Sequence, residues 1–382
     1  MPRFAVAGLG RIGLISLLLL RRLGYEAFGI SITLESVEAA RRLGLEAYPG
    51  DIVANPRLID KYGGADVVLL ALPGAVGFEG LKGLVAAGYN VVDVSFFRED
   101  PEEIRPVAEK MGVTAVVDAG VAPGLSNLLS ARALHETGAE NIYVFVGSIS
   151  RSEKIPLGIV PVWSLEDLLD EYVRPARFLW EGRRAEVMPL EAPPGFLYVE
   201  AVGTLEYVPT DGLRSLLKTL SGKVRTMVEY TLRWPGHYDI MRLLYRVGML
   251  SDRPHSVEGC PVKPRLCLAK VLEHNLPVED DLVVLKVVGV KGEDCIVYNS
   301  VVTPSNGISA VSLSTSSFQV GTALLVAEGQ LPKGVVYPEE IVWNRQAVRR
   351  LIRFVEEQGV VVAENRLQVE ECFKPSPPPR LL

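Results

Sequence analysis

Phe4-Ala-Val-Ala-Gly-Leu-Gly-Arg-Ile-Gly13 decides the fold: a short apolar run feeds Gly8, Gly10 and Gly13 at G-x-G-x-x-G spacing, and the apolar segment Leu14 to Leu20 follows. The pattern reads as strand, tight turn and helix. Glycines suit it because the first turn is sharp, the second glycine lets a pyrophosphate approach the backbone, and the third packs helix on strand. The N-terminus of the following helix then offers free N–H groups to anionic phosphates. The stretch is therefore read as a dinucleotide site, with Gly8, Gly10, Arg11, Ile12 and Gly13 as its first contacts.

Outward from it, short apolar runs alternate with amphipathic stretches as far as about residue 120. Ala27–Ile32, Asp66–Leu72, Asn90–Ser95 and Thr114–Asp118 read as further strands of a parallel sheet covered by helices on both faces. Ligands of such sheets bind beyond the carboxyl ends of the strands. That rule adds Leu72, Pro73, Gly74, Ser95, Ala119, Gly120 and Pro123 to the cofactor contacts, and the end of the second strand adds Ser31 and Thr33. Ala122–Leu134 reads as a helix leaving the same crevice.

From about Asn141 to Asp294 the texture becomes β-rich, with strands expected at Ile142–Val146, Tyr198–Tyr207, Arg225–Leu232 and Val283–Val290. Ser164-Leu-Glu-Asp167 resembles a capping box opening a helix that runs to about Tyr172. Ile308–Glu328 reads as a long buried helix returning to the first domain, and Arg345–Gln358 as a last amphipathic helix. The expected organisation is α/β: a Rossmann-type doubly wound nucleotide domain over residues 1–123, an α+β substrate-binding and dimerisation domain with a mixed sheet over 124–305, and C-terminal helices over 306–382.

Composition narrows the function classes. The chain has 382 residues, enough for two domains of ~100–200 residues each. A net charge of −6, from 40 basic and 46 acidic residues, gives no electrostatic reason to expect nucleic acid or an anionic membrane as partner. Mean hydropathy is high at +0.22, yet the longest apolar runs fall short of the roughly 20 residues that span a bilayer. Met1-Pro-Arg leads directly into a strand, so a cytoplasmic location is expected. Cys260, Cys267, Cys295 and Cys372 form no C-x-x-C pair, and the spacing of His255, Cys260, Cys267 and His274 matches no common zinc motif, so no metal is expected.

Several later motifs carry a resemblance. Asp93-Val-Ser-Phe-Phe97, Asp118-Ala-Gly-Val-Ala-Pro-Gly-Leu-Ser-Asn127, Val162-Trp-Ser-Leu-Glu-Asp-Leu168, Thr210-Asp-Gly-Leu213, Thr231-Leu-Arg-Trp-Pro-Gly-His237, Gly307–Ser312 and Gly334-Val-Val-Tyr-Pro-Glu339 together resemble the saccharopine dehydrogenase superfamily. Within it they look most like the lysine 6-dehydrogenase branch. The resemblance implies hydride transfer between NAD or NADP and the amine-bearing carbon of an amino-acid side chain, in an enzyme that is commonly a homodimer. In the lysine branch the terminal amino group leaves as ammonia and the semialdehyde cyclises to piperideine-6-carboxylate. In the saccharopine-forming branch the same carbon joins glutamate. A carboxyspermidine-type reductase and a non-catalytic nicotinamide-binding regulator are the other readings.

Such chemistry needs a group that takes a proton from the ammonium and a cation for the distal carboxylate. Asp118, ending a strand at the crevice, is the first candidate acid/base, with His237 as a relay. Arg233 is the candidate carboxylate clamp, because a guanidinium offers a bidentate fork. Asp211 is a candidate partner of the α-ammonium. Ser95, Phe96, Ser126, Asn127 and Trp163 complete the expected substrate contacts. Related saccharopine enzymes tend to carry a tyrosine at Phe96, and the missing hydroxyl favours the ammonia-releasing branch.

Two departures stand out. The second strand ends in Ser31-Ile-Thr33 without the acid that grips an NAD ribose, which leaves NAD and NADP both open. Ser314-Thr-Ser-Ser-Phe-Gln319 stands where relatives tend to carry an Arg-Thr-Thr-Gly-like run.

Overall fold

The computed structural model describes residues 1–154, 156–161 and 164–373. Its chain divides into two compact units, one of Met1–Leu128 with Ser312–Val361 and one of Leu129–Val311 with the segment from Val362 onward.

The first unit begins with β1 (Arg3–Ala7), α1 (Arg11–Arg22), β2 (Glu26–Ser31), α2 (Leu34–Arg42), β3 (Ala47–Pro49) and α3 (Leu58–Lys61). It continues through β4 (Val67–Leu70), α4 (Gly74–Ala86), β5 (Asn90–Asp93), α5 (Arg105–Met111) and β6 (Thr114–Val116) into α6 (Leu125–Thr137). The second unit supplies β7 (Asn141–Ser150), α7 (Leu165–Glu171), β8 (Ala176–Trp180), β9 (Arg183–Val187), β10 (Gly195–Val199), β11 (Gly203–Pro209), α8 (Leu216–Thr219) and β12 (Thr226–Arg233). After these come α9 (His237–Arg246), β13 (His255–Val257), β14 (Cys260–Val262), α10 (Pro264–Asn275), β15 (Asp281–Lys291) and β16 (Asp294–Val302). The chain ends with α11 (Ala310–Ala327), β17 (Gly334–Val336), α12 (Arg345–Glu357), β18 (Ala363–Gln368) and α13 (Val369–Cys372).

In the first unit the sheet order is β3-β2-β1-β4-β5-β6-β17, every pair parallel. The order reverses between β1 and β4, which is the topological switch point where doubly wound sheets bind ligands. Val67, Val68, Leu69 and Leu70 are completely buried, as expected of a central strand covered on both faces. A core of Phe28, Ile59, Phe78, Leu81, Leu84 and Phe97 fills one side of the sheet. Burying each such side chain contributes roughly 1.5–3 kcal/mol.

The second unit holds a nine-stranded mixed sheet with the path β10-β11-β12-β7-β15-β16-β18, and β8 and β9 attached through β12. β12 and β7 run parallel, whereas β7–β15, β15–β16, β11–β12 and β10–β11 are antiparallel. The α/β class with a parallel sheet and a separate mixed sheet is therefore as expected.

Three local readings change. The expected single strand Tyr198–Tyr207 is a hairpin of β10 and β11, because Ala201 at φ 65° and Gly203 at φ 125° reverse the chain. The helix expected at Ala122–Leu134 starts three residues later, since Gly124, at φ 136°, lies outside the right-handed helical region. The described part of the C-terminal segment does not return as a whole to the first unit: β18 pairs antiparallel with β16, and Cys372 joins Cys295 in a disulfide beside it. Cys260 and Cys267 are free and exposed.

α11 is long and apolar enough to cross a membrane by length and composition, but 83% of it is buried inside the protein. Asp281, at the start of β15, caps it: its two carboxylate oxygens accept from the N–H groups of Ala310 (2.6 Å) and Val311 (2.9 Å). Asp281→Ala leaves those donors without their cap and is expected to cost about 1–2 kcal/mol, read as a lower urea midpoint with an unchanged slope.

Candidate functional site

At the first turn the three glycines have separate reasons to be glycine. Gly8 sits at φ 93° and donates to the Ile30 carbonyl at 2.8 Å; a Cβ there would lie 2.3 Å from the Ala71 carbonyl oxygen. A Cβ on Gly13 would lie 1.8 Å from the Gly8 oxygen. A Cβ on Gly10 would meet no described atom within 4 Å. Close packing at the first and third positions with open space at the second is the arrangement that lets a pyrophosphate reach the backbone. No described side chain caps α1 and its first turn holds no acid, so its leading N–H groups remain available to an anion. These residues fit the dinucleotide that the motif implies.

The neighbouring loops converge on the same end of the sheet. Leu72 N–H donates to Ser95 Oγ at 3.3 Å, and Ser95 N–H to Asp93 Oδ1 at 3.0 Å. The start of α4 presses on the chain leaving β5, where a Cβ on Gly74 would be 2.3 Å from the Phe96 oxygen. Ser95 is buried, Phe96 half-buried, Pro73 exposed and Leu72 half-buried. Ala119 N–H donates to the Asp93 carbonyl at 2.8 Å, which ties the exit of β6 to that of β5.

Asp118 is buried and sits at φ 57°, in the left-handed region that costs a non-glycine residue free energy. The loop after it closes on itself: Gly120 N–H donates to the Pro123 carbonyl at 3.1 Å and Leu125 N–H to the Gly120 carbonyl at 2.9 Å. Ser126 and Asn127 are buried, and Asn127 Nδ2 donates to Glu339 Oε2 at 3.2 Å. Ser126 and Asn127 are therefore held in the loop that follows Asp118. At the end of β2, Ser31 Oγ lies 3.2 Å from Thr33 Oγ1, which donates to Ser36 Oγ at 2.8 Å. The strand thus ends in a run of hydroxyls. Arg11 is exposed and Ile12 half-buried.

In the second unit Arg233 and His237 come together around Tyr172, which the sequence reading passed over. Arg233 Nε–H donates to Tyr172 Oη at 2.9 Å, Tyr172 Oη lies 2.9 Å from His237 Nε2, and His237 Nδ1 lies 2.7 Å from the Leu157 carbonyl. A carbonyl can only accept, so Nδ1 carries the proton, Nε2 accepts from the tyrosine hydroxyl, and the tyrosine oxygen accepts from the guanidinium. Each donor in this chain has an acceptor. Burial, reinforced by the positive Arg233, lowers the His237 pKa to about 3, and burial pushes Tyr172 up to about 12. His237 is thus a neutral link fixed in one tautomer. Arg233 is buried, with Nη1 on the Leu232 carbonyl at 3.0 Å and Nη2 3.8 Å from Glu171.

Asp211 has other partners than those expected. Its carboxylate takes both arms of Arg177 at 2.8 Å and lies 3.5 Å from Arg174. The Thr-Asp-Gly turn has a separate purpose at its glycine: a Cβ on Gly212 would lie 1.4 Å from Glu229 Oε1, and Glu229 is buried with its pKa raised well above the usual carboxylate range by burial and by Glu171. Trp163 lies outside the described residues. No cluster of three or more His, Cys, Asp or Glu side chains suited to a metal occurs among the described residues.

Comparison with known proteins now bears on these sites. Residues 120–360 match the family described as Saccharopine dehydrogenase C-terminal domain. The chain belongs to the saccharopine dehydrogenase family. It is 24% identical over 266 residues to saccharopine dehydrogenase (NADP(+), L-glutamate-forming) of Saccharomyces cerevisiae, covering 66% of this chain and 59% of that protein. Against alpha-aminoadipic semialdehyde synthase, mitochondrial, of Bos taurus it is 23% identical over 202 residues, covering 49% of this chain and 21% of that protein. The chain thus spans little more than half of the first relative and about a fifth of the second. Among solved structures, apo saccharopine dehydrogenase (L-Glu forming) from Saccharomyces cerevisiae superposes with a TM-score of 0.77 at 16% identity, covering 96% of this chain and 100% of that one. That likeness establishes the fold.

His237 gives this family member a pH signature. Its side chain titrates near 6.5 when unfolded and near 3 when folded, so the unfolded state binds more protons between those values. The stabilisation is complete above pH 6.5 and is lost as pH falls towards 3, by an amount on the order of a few kcal/mol. Urea midpoints measured across that window should fall with pH in the parent and fall less steeply in His237→Gln. Identical slopes would show that the imidazole titrates normally.

Proposed function

We propose that the protein is an NAD(P)-dependent oxidoreductase acting on the amine-bearing carbon of an amino-acid side chain. The observation that carries this reading is the glycine turn, where two glycines are packed shut and the third stands open before an uncapped helix N-terminus. Family membership supports it independently. A bound nicotinamide would supply the hydride acceptor. The hydroxyl run Ser31, Thr33 and Ser36, with no acid at the end of β2, fits NADP at least as well as NAD.

In the reading we put first, the substrate is lysine: its terminal carbon would give up a hydride to oxidised nicotinamide, water would replace the amine so that ammonia leaves, and the semialdehyde would close on its own α-amine with loss of water to give piperideine-6-carboxylate. Asp118 takes the proton of the substrate ammonium, supported by its burial at the exit of β6 and its left-handed backbone at φ 57°. Phe96 brings no hydroxyl to that proton transfer. We further propose that the enzyme works in the cytoplasm as a homodimer.

The names of the relatives favour a second reading, a saccharopine-type reductase that joins the semialdehyde to glutamate with loss of water at the expense of a reduced nicotinamide. One assay separates the two. Lysine with NAD or NADP yields reduced nicotinamide and ammonia in the first case, whereas saccharopine yields reduced nicotinamide and glutamate in the second. Asp118→Asn should retain nucleotide affinity and lose on the order of 10²–10⁴ in kcat. No turnover across an amino-acid panel that includes both substrates would overturn the enzyme reading.

A further inference from the structure

The Ser314–Gln319 run, which departs from the pattern of relatives, lies on α11 and is buried in the nucleotide unit: Ser314, Ser316, Ser317 and Gln319 are each at most 1% exposed. A buried polar run of this kind needs partners, and Gln319 has three. Its Nε2 donates to the Leu70 carbonyl and to the Val92 carbonyl, both at 3.0 Å, and its Oε1 accepts from Ser16 Oγ at 2.7 Å. One turn away, Ser316 Oγ donates to the Ile12 carbonyl at 2.9 Å. The amide orientation is fixed chemically, because two carbonyls can be met only by the N–H end.

The positions of these partners give the side chain its meaning. Leu70 ends β4 and leads into Leu72, Pro73 and Gly74; Val92, next to the end of β5, leads into Ser95. Ser16 and Ile12 lie in the first turns of α1, directly after Gly10. One amide therefore ties together the ends of two strands that lead into cofactor loops and the helix whose N-terminus receives the phosphates. The sheet reverses its order between β1 and β4 at this same end.

The structure assigns Gln319 as a positioning residue of the dinucleotide site, holding the glycine turn, the Leu72–Gly74 loop and the Ser95 loop in mutual register. This rests on the nucleotide reading of the glycine turn proposed above. Gln319 does not touch the nucleotide; it acts through Leu70, Val92 and Ser16.

The test is the dissociation constant of NADPH and of NADH, by calorimetry on the full chain, for the parent and Gln319→Leu at a temperature well below the melting transition of each. Loss of three buried hydrogen bonds is expected to weaken the better nucleotide by about tenfold or more, while circular dichroism shows a folded protein. A purely structural role would lower the melting temperature and leave the affinity of the folded protein unchanged, so a Kd within twofold of the parent overturns the assignment. Should Gln319→Leu fail to fold, Ser16→Ala and Ser316→Ala each remove one bond. A weakening of about threefold in either supports the assignment, and unchanged affinity in both overturns it. If the parent binds neither nucleotide, the nucleotide reading itself fails, and this assignment with it.

Discussion

The first turn of α1 lies so close to the end of β1 that a single methyl group at Gly13 would sit 1.8 Å from the Gly8 oxygen. That contact governs the nucleotide unit. It aims α1 at the carboxyl end of the sheet and leaves Gly10 open, and the parallel order on either side of β1 and β4 brings the remaining loops to the same end. α11 then closes the unit with polar contacts added to its buried apolar ones, Phe318, Val320 and Leu325 among them. Ser316 and Gln319 meet backbone carbonyls that would otherwise be buried without those donors.

The second unit handles its buried polar groups differently. Arg233, Tyr172, His237 and the Leu157 carbonyl form a directed chain in which every donor finds an acceptor, and that direction is possible only with a neutral imidazole. Burial disfavours a charged His237, and the cation of Arg233 beside it adds to that, which together depress its pKa. Asp211 is held by Arg177 and Arg174, while Glu229 fills the space that Gly212 leaves free.

Much of the first unit was legible because its signals are local. β1, β2, β4, β5 and β6 announce themselves as apolar runs closed by turn residues, and the glycine spacing has one economical structural meaning. The Tyr198–Tyr207 run misled because the turn at Ala201 and Gly203 carries no Pro-Gly or Asn-Gly signal. β17 has only three residues, β18 is polar and exposed along its length, and their partners β6 and β16 are distant in sequence, so neither could be placed by periodicity. The candidate site was less legible than the fold. Asp211 was picked on the resemblance and His237 on its place after the Pro-Gly turn, whereas their contacts with Arg177 and Tyr172 come only from the folded chain. Gln319 was visible as an anomaly of its helix, but its three partners lie more than 220 residues away along the chain.

Gly10 offers the most direct test of the central claim, that the carboxyl end of the parallel sheet binds a pyridine nucleotide across the glycine turn. Its backbone, at φ −71°, suits any L-residue, and a side chain there meets no described atom within 4 Å. Gly10→Val should therefore melt close to the parent while occupying the space that the pyrophosphate requires. Calorimetric titration of this variant with NADPH and NADH is predicted to show no binding where the parent binds. Parent-like affinity in a folded Gly10→Val protein would contradict the account.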